Sequence, residues 1–401
     1  RPTYQVGQYL VIVSSAIPDK LVQLAKTYSD DYIKTKEDKF FRQFFISAAL
    51  NFTPKQAHQI INLMIKQKWA DDVPHHRDFL FYEAKKLLER LIDLKEYNIA
   101  STLAKKLLDV RAITEDKKIL RDVEGYIDDY FYGEIIKSLE QIPLPDRLPF
   151  VKILISTLAK AVELSTDTKD RYSHIWRSYI GENERNRHNV IDVLIDGIRD
   201  LSLAHLRYIK TQGGNIPETI GELLSESDSH IFTRIKLYLY SQFSNECLEQ
   251  IQWAIIEYFD NHNMEREYDE LVKLEFGNIG STFQKKYLEL VARGPIETTK
   301  EDHELYSRYW KIRKLFWVKN WLDNKWKNIY LDLIGDDDES KFTPTYSGVI
   351  TSWTGPTTPK KAEELADMSV ASLIKFLSEW QPPTNSFGEP SRMGLGREMI
   401  E

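Results

Sequence analysis

Residues Arg77–Val110 read RDFLFYEAKKLLERLIDLKEYNIASTLAKKLLDV. Apolar residues recur in this stretch at intervals of three and four, the repeat of one face of an α-helix rather than the alternation of a strand. The period holds on either side of Lys95 to Tyr97 and breaks there, so the sequence predicts two helices joined by a short turn. Ala84, Leu87 and Leu91 then face Ala100, Leu103 and Leu107. The pair is about 34 residues long with small residues in the contact rows, a tetratricopeptide-like unit.

The same period extends through most of the chain. Thr53–Gln67, TPKQAHQIINLMIKQ, places Thr53 as N-cap and Pro54 at the first helical position, with Ile60, Ile61, Met64 and Ile65 on one side. Further pairs are predicted at 146–164 with 189–209, 227–243 with 246–261, and 264–276 with 282–292, followed by one long helical segment from Glu301 to about Lys327. Breaks fall at QIPLPDRLP, QGGNIPE, RGPIETT and GDDDESKFTPTYSG, where Gly, Pro, Asp and Asn accumulate. The expected fold class is all-α, an irregular α-solenoid of antiparallel helix pairs of tetratricopeptide or HEAT type, because successive pairs without a strict repeat bury their faces on their neighbours. The expected divisions are paired helices at 1–170, a central helical-repeat region at 171–335, and a C-terminal region of loop and terminal helices at 336–401.

Composition agrees with this fold class. Among 401 residues there are 17 Gly and 15 Pro, below the roughly 7% and 5% of average usage, which favours long helices over turn-rich sheets. The 42% hydrophobic content supports a sizeable core, and the 29% charged residues suit a large exposed helical surface. A formal charge of −7 gives no overall field attracting nucleic acid or anionic lipid. The single Cys247 excludes an intrachain disulfide and fits a reducing compartment, so the expected location is cytoplasmic. Residues 2–18 carry no charge, yet the run is shorter than the roughly 20 residues of a spanning helix and is diluted by Gln5, Gly7 and Gln8. It is expected to be a buried first helix. A start at Arg1 rather than Met points to a segment of a longer protein.

Several stretches were weighed for chemistry. GPTTPKK, residues 355–361, departs from the phosphate-binding loop at two decisive places: Pro359 replaces the second glycine, and Lys361 replaces the magnesium-binding hydroxyl. Proline also removes a backbone N–H from a loop that works by offering them. A turn followed by a helix capped by Thr358 is the expectation here. RDLSLAH, Arg199 to His205, has the Arg–His spacing of helical ribonucleases, weighed against a solvent-facing Arg199 and a packed or capping His205. His75 and His76 are adjacent and cannot share a helix face, and His303-Glu304 lacks the second histidine of a zincin helix. GDDDE, 335–339, lacks the ligand spacing of a calcium loop. No catalytic residue, cofactor or metal is expected.

The most unusual composition lies in residues 304–330, where aromatic residues alternate with cations. Such interleaving can stack bases and neutralise phosphates, but it also arises in a thick core helix with a basic outer face. Arg308, Lys311, Lys314, Trp317, Lys319 and Trp321 are the candidate binding surface. A nucleic-acid-binding helical-repeat protein and a helical ribonuclease remain the alternatives to a protein-binding scaffold.

A resemblance bears on this choice. Trp353, Gly355, Pro356, Pro359, Glu364, Leu365, Met368, Ser369, Leu373, Leu377, Trp380 and Pro382, then Pro390, Ser391, Gly394, Leu395 and Arg397, form a run similar to the helical-repeat regions of large bacterial STAND NTPases of NACHT-like, antiviral type. The segments beginning at His174, Glu267 and Tyr309 are similar to the same regions; Trp176-Arg177-Ser178 departs from their Trp-Arg-Pro. The resemblance covers about residue 171 to the end. It implies a C-terminal solenoid that binds a protein ligand, such as a phage component, and couples it to an NTPase carried elsewhere in the parent chain, with neither nucleic acid nor membrane as partner.

Overall fold

The computed structural model describes residues 4–31, 38–69, 79–112, 123–127, 129–165, 173, 177, 179–182, 190–295, 303–335, 339–342, 359–360, 365–366 and 368–380. The fold is all-α, as the periodicity predicts. The chain divides into two compact units, residues 1–346 and 347–401.

In the first unit the helices are α1 (Tyr4–Val13), α2 (Pro18–Asp31), α3 (Asp38–Ala49), α4 (Pro54–Lys66), α5 (Phe79–Asp93), α6 (Tyr97–Leu107), α7 (Asp129–Leu139) and α8 (Leu148–Leu164). They are followed by α9 (Val190–Thr211), α10 (Ile216–Leu223), α11 (His230–Gln242), α12 (Leu248–Glu257), α13 (Glu265–Glu275), α14 (Ser281–Arg293), α15 (His303–Phe316) and α16 (Asn324–Ile334). Many of the helices pack on the helix two further along. Thus α1 lies on α3, α3 on α5 and α5 on α7, while α2 lies on α4, α4 on α6 and α6 on α8. Beyond α9 the relation recurs between α11 and α13 and between α12 and α14. A helix with one apolar stripe needs such neighbours, because the stripe is buried only when other helices cover it.

Local chemistry sets the ends. Pro54 opens α4, and the Gln56 side chain accepts the Thr53 N–H at 3.1 Å, as a capping residue at the third helical position does. The turn between α5 and α6 closes at Lys95, whose φ of 60° is left-handed, and all six residues of the predicted facing rows are buried. Gly197, in the middle of α9, lets that helix approach α7 and α8: a Cβ there would stand 2.9 Å from Ile136 and 3.2 Å from Leu154.

Four expectations are corrected. The segment from Glu301 to Lys327 is two helices, since α15 ends at Phe316 and Asp323 caps α16 by accepting the Trp326 N–H at 2.8 Å. QGGNIPE does separate two helices, but the short helix α10 that follows was not foreseen: Asn215 accepts the Glu218 N–H and starts it. A two-stranded antiparallel hairpin, β1 (Val110–Ala112) with β2 (Val123–Gly125), pairs Arg111 with Glu124 where only helix was foreseen. The first helix is not buried. It packs on α3 through Gly7, over the Phe44 ring, and its remaining face leaves Tyr9 and Ile12 exposed, because α3 covers one side only.

In the second unit, α17 (Val370–Glu379) begins at Ser369, whose Oγ accepts the Ser372 N–H at 3.2 Å. Lys360 lies over the Phe376 ring. Of GPTTPKK only Pro359 and Lys360 are described, so the Thr358 cap lies outside the described residues, as do His75, His76 and the motif at 389–398.

Candidate functional site

Helices α6 and α8 pack side by side and carry the same five residues: Ser101-Thr102-Leu103-Ala104-Lys105 on one, Ser156-Thr157-Leu158-Ala159-Lys160 on the other. At 100° per residue this pentapeptide divides between two faces. Leu103, Ala104 and Leu158 are buried in the core, whereas the hydroxyls and lysines of the two helices turn to one side and line a shared hollow of about 740 Å³. Ile65, Pro149 and Ile153 supply its apolar lining, and Lys106 and Asp109 complete it. A volume of this size is in the range of ligand pockets, roughly 300–1,000 Å³.

The polar groups have defined states. Ser101 and Thr102 donate their hydroxyls to the Asn98 carbonyl, and Ser156 and Thr157 donate theirs to the Ile153 carbonyl. Their oxygens keep lone pairs that can accept a hydrogen bond, but their protons are spent. Lys160 pairs with Asp109 at 2.5 Å, and that carboxylate also accepts the Val110 N–H. The Lys106 ammonium stands 4.3 Å from the Tyr126 ring centroid, and Lys105 is exposed. Among the described residues, Lys105, Lys106, Lys160 and Asp109 are the charged groups that line the hollow. The hollow thus offers hydroxyl oxygens as hydrogen-bond acceptors beside lysine side chains.

The aromatic and basic residues of 304–330 are largely committed inside the molecule. Arg308 donates to the Leu333 and Ile334 carbonyls at 2.6 and 2.9 Å, closing the C-terminal end of α16. Lys314 turns inward to the Phe259 carbonyl among the rings of Phe259, Tyr268 and Trp310. Burial lowers its pKa, against the opposing pull of Asp269, Asp260 and Glu265. Lys319 pairs with Glu339 at 2.8 Å. The Trp317 ring stacks edge-on with Phe316 and lies under the Lys273 ammonium. Trp321 packs towards Phe276 over Gly277 and is partly exposed. Lys311 is half-buried on α15.

Arg199 and His205 share α9 but meet different neighbours. Arg199 is buried, not solvent-facing. It pairs with Asp196 at 2.8 Å and, through two nitrogens, with Asp200, and it donates to the Ile180 and Glu182 carbonyls. His205 packs against the turn before α8, close to Leu144 and Arg147. Burial, with the Arg147 charge beside it, lowers the His205 pKa. The folded state therefore favours the neutral ring, so its contribution is present above the unfolded value of about 6.5 and is lost as pH falls below it. Acidification from about pH 7.5 to about pH 5 is expected to lower the melting temperature of the native chain, and His205→Gln, which keeps a polar side chain of similar size and does not titrate, should flatten that dependence. An unchanged slope in the variant would assign the acid sensitivity to other groups.

Arg199 belongs to a buried ionic cluster that sequence reasoning missed. Arg177 and Arg199 share Asp196 Oδ1 at 2.7 and 2.8 Å, and Arg177 also faces Asp192. Both guanidinium groups donate to the Glu182 carbonyl. On the far side of that strand of chain, the Ile180 N–H donates to Glu267, which holds Arg234 by two bonds of 2.7 and 2.8 Å. Arg177, Ile180 and Glu182 are thus clasped to α9, α11 and α13. The Cys247 thiol is buried and its pKa is pushed up to about 12, which makes it a poor nucleophile. Among the described residues no group of three or more His, Cys, Asp or Glu is placed to hold a metal ion, and no helix is long and apolar enough to cross a membrane.

No protein-family model, curated protein or solved structure matches the chain.

Proposed function

We propose that the chain is a non-enzymatic interaction scaffold: an irregular α-solenoid of antiparallel helix pairs that holds a protein ligand in the hollow between α6 and α8. The observation that carries this reading is the duplicated Ser-Thr-Leu-Ala-Lys pentapeptide, whose two copies place matching hydroxyls and lysines around one hollow. Packing of α1 to α8, and of α11 to α14, each on the helix two positions along within its run supports the solenoid, because a repeat array brings alternate helices into one layer. The likeness of residues 171–401 to STAND NTPase repeat regions supports a further reading: a cytoplasmic sensor segment of a bacterial defence protein, in which ligand binding is coupled to an NTPase elsewhere in the parent chain.

The test is titration of the full chain against individually purified phage proteins, with Ser156→Trp as the blocked form. Ser156 lines the hollow at its surface, so an indole there fills the ligand space without entering the core. Binding by the native chain and a loss of about tenfold or more in Ser156→Trp is the expected result. Binding unaffected by the indole, or no binding by any protein of the set, would overturn the proposal.

A further inference from the structure

We infer that the outward face of α12 docks a basic polypeptide segment, one that lays a Lys or Arg side chain on the Trp253 indole between Glu249 and Glu257. This goes beyond the scaffold reading, whose hollow lies on other helices. Helix α12 packs on α11, α13 and α14 and buries Ile251, Ala254 and Ile255. Glu249, Trp253 and Glu257 follow one another at four-residue intervals on its other side, and all three are exposed, Trp253 by 54%. At about 1.5 Å of rise per residue, each glutamate is attached about 6 Å along the axis from Trp253. A cation on the indole therefore has a carboxylate within reach on either side.

The pairing of neighbouring charges sets this stripe apart. Glu246, before the helix, is held by Lys210, and Asp260, after it, by Arg293. Among the described residues no cation pairs with Glu249 or Glu257. The rings show the same contrast. Lys273 lies over Trp317 and Lys314 over Trp310, both from within the chain, but among the described residues no cation covers Trp253. Tyr258 meets the indole edge-on, with ring centroids 5.4 Å apart and planes at 85°, and so braces its orientation. An indole is the best aromatic partner for an ammonium or guanidinium, and carboxylates beside it supply the counter-charge. The aliphatic stem of Lys or Arg covers the rest of the ring, so apolar area leaves water as the charges meet. A neutral segment gains only the apolar contact, and nucleic acid is repelled by the two carboxylates and by the net charge of −7.

The experiment uses fluorescence anisotropy with the full chain and two fluorescein-labelled Gly-Ser peptides, one carrying about four Arg and the other Gln in the same places. The Arg peptide is expected to bind at least about tenfold more tightly, and to weaken as salt rises from about 50 to about 200 mM. Trp253→Ala should weaken it by about fivefold or more and Trp253→Phe by less, because a phenyl ring keeps part of the attraction for the cation. Glu249→Gln combined with Glu257→Gln should weaken it by about tenfold. All three positions are exposed, so the variants should melt at the temperature of the native chain. Glu218→Gln with Glu222→Gln removes two exposed carboxylates from α10, where no aromatic residue lies between them, and should leave binding within about twofold. Equal binding of the Gln peptide, indifference to Trp253→Ala, or an equal loss from the α10 pair would overturn the inference, the last by showing a general attraction of basic peptides to an acidic chain. Ser156→Trp, which fills the hollow between α6 and α8, should leave the Arg peptide bound within about twofold; a larger loss would place the peptide there and overturn the inference.

Discussion

Glu267→Ala is expected to destabilise the first unit by roughly 3–5 kcal/mol, the cost of leaving a buried charge without its partner. Glu267 and Arg234 have side chains 1% and 0% exposed and meet through two parallel bonds, the geometry in which a guanidinium and a carboxylate fit best. Truncation removes the carboxylate that meets the buried Arg234 guanidinium and the acceptor of the Ile180 N–H. Neither group can reach water without opening the packing of α11 on α13. A shift of the urea midpoint in the native chain against the variant measures the loss. Removing the two charges together, as Arg234→Met with Glu267→Leu, should restore a large part of it, since a well-packed apolar pair avoids the desolvation that the ion pair must offset. A loss below about 1 kcal/mol in Glu267→Ala would mean that water reaches the pair, and the clasp on residues 177–182 would then not be a buried one.

The helices were legible because burial leaves a period in the sequence. Ala84, Leu87 and Leu91 repeat at the spacing of one helix face, and that spacing alone places the turn at Lys95. Contacts between distant segments leave no such trace. Asp192, Asp196 and Arg199 recur at four and three residues on α9, which reads as a solvated stripe until Arg177 arrives from outside the helix to neutralise it. Charged side chains are buried only in company, and the company here comes from elsewhere in the chain.

The groove was hidden for a related reason. Ser, Thr and Lys on a helix are the usual composition of an exposed face, so neither copy of the pentapeptide stands out by periodicity. The exact repetition at 101–105 and 156–160 was the available signal, and it becomes informative because α6 and α8 are neighbours. By contrast, the aromatic and basic run at 304–330 attracts attention through composition. Trp310 packs on Phe259, which meets Tyr287, and Lys314 folds back among these rings, while Tyr306, Tyr309 and Trp321 are exposed, so the unusual composition records in part a core built with aromatic residues.

Asp196→Ala should cost the first unit about as much as Glu267→Ala, on the order of 3–5 kcal/mol, because one fully buried oxygen serves two cations. With Asp196 gone, Arg177 and Arg199 lose the carboxylate they share, and among the described residues Asp192, 3.7 Å from Arg177, and the partly exposed Asp200 remain beside them. Like charges at this range repel, and the low dielectric of the core strengthens the repulsion. Asp200→Ala is the matched comparison: its side chain is 32% exposed, water can replace it, and its loss should stay near about 1 kcal/mol. The two large effects also report on each other. Asp196 holds residues 177–182 through the arginines that grip the Ile180 and Glu182 carbonyls, and Glu267 holds the same residues through the Ile180 N–H. Once either grip is lost, the other has less native structure to stabilise. Asp196→Ala with Glu267→Ala should therefore cost less than the sum of the single variants, by about 1 kcal/mol or more in a double-mutant cycle read from urea midpoints. Strict additivity would mean that the two ion clusters stabilise α9 and α13 independently, and that residues 177–182 do not join them.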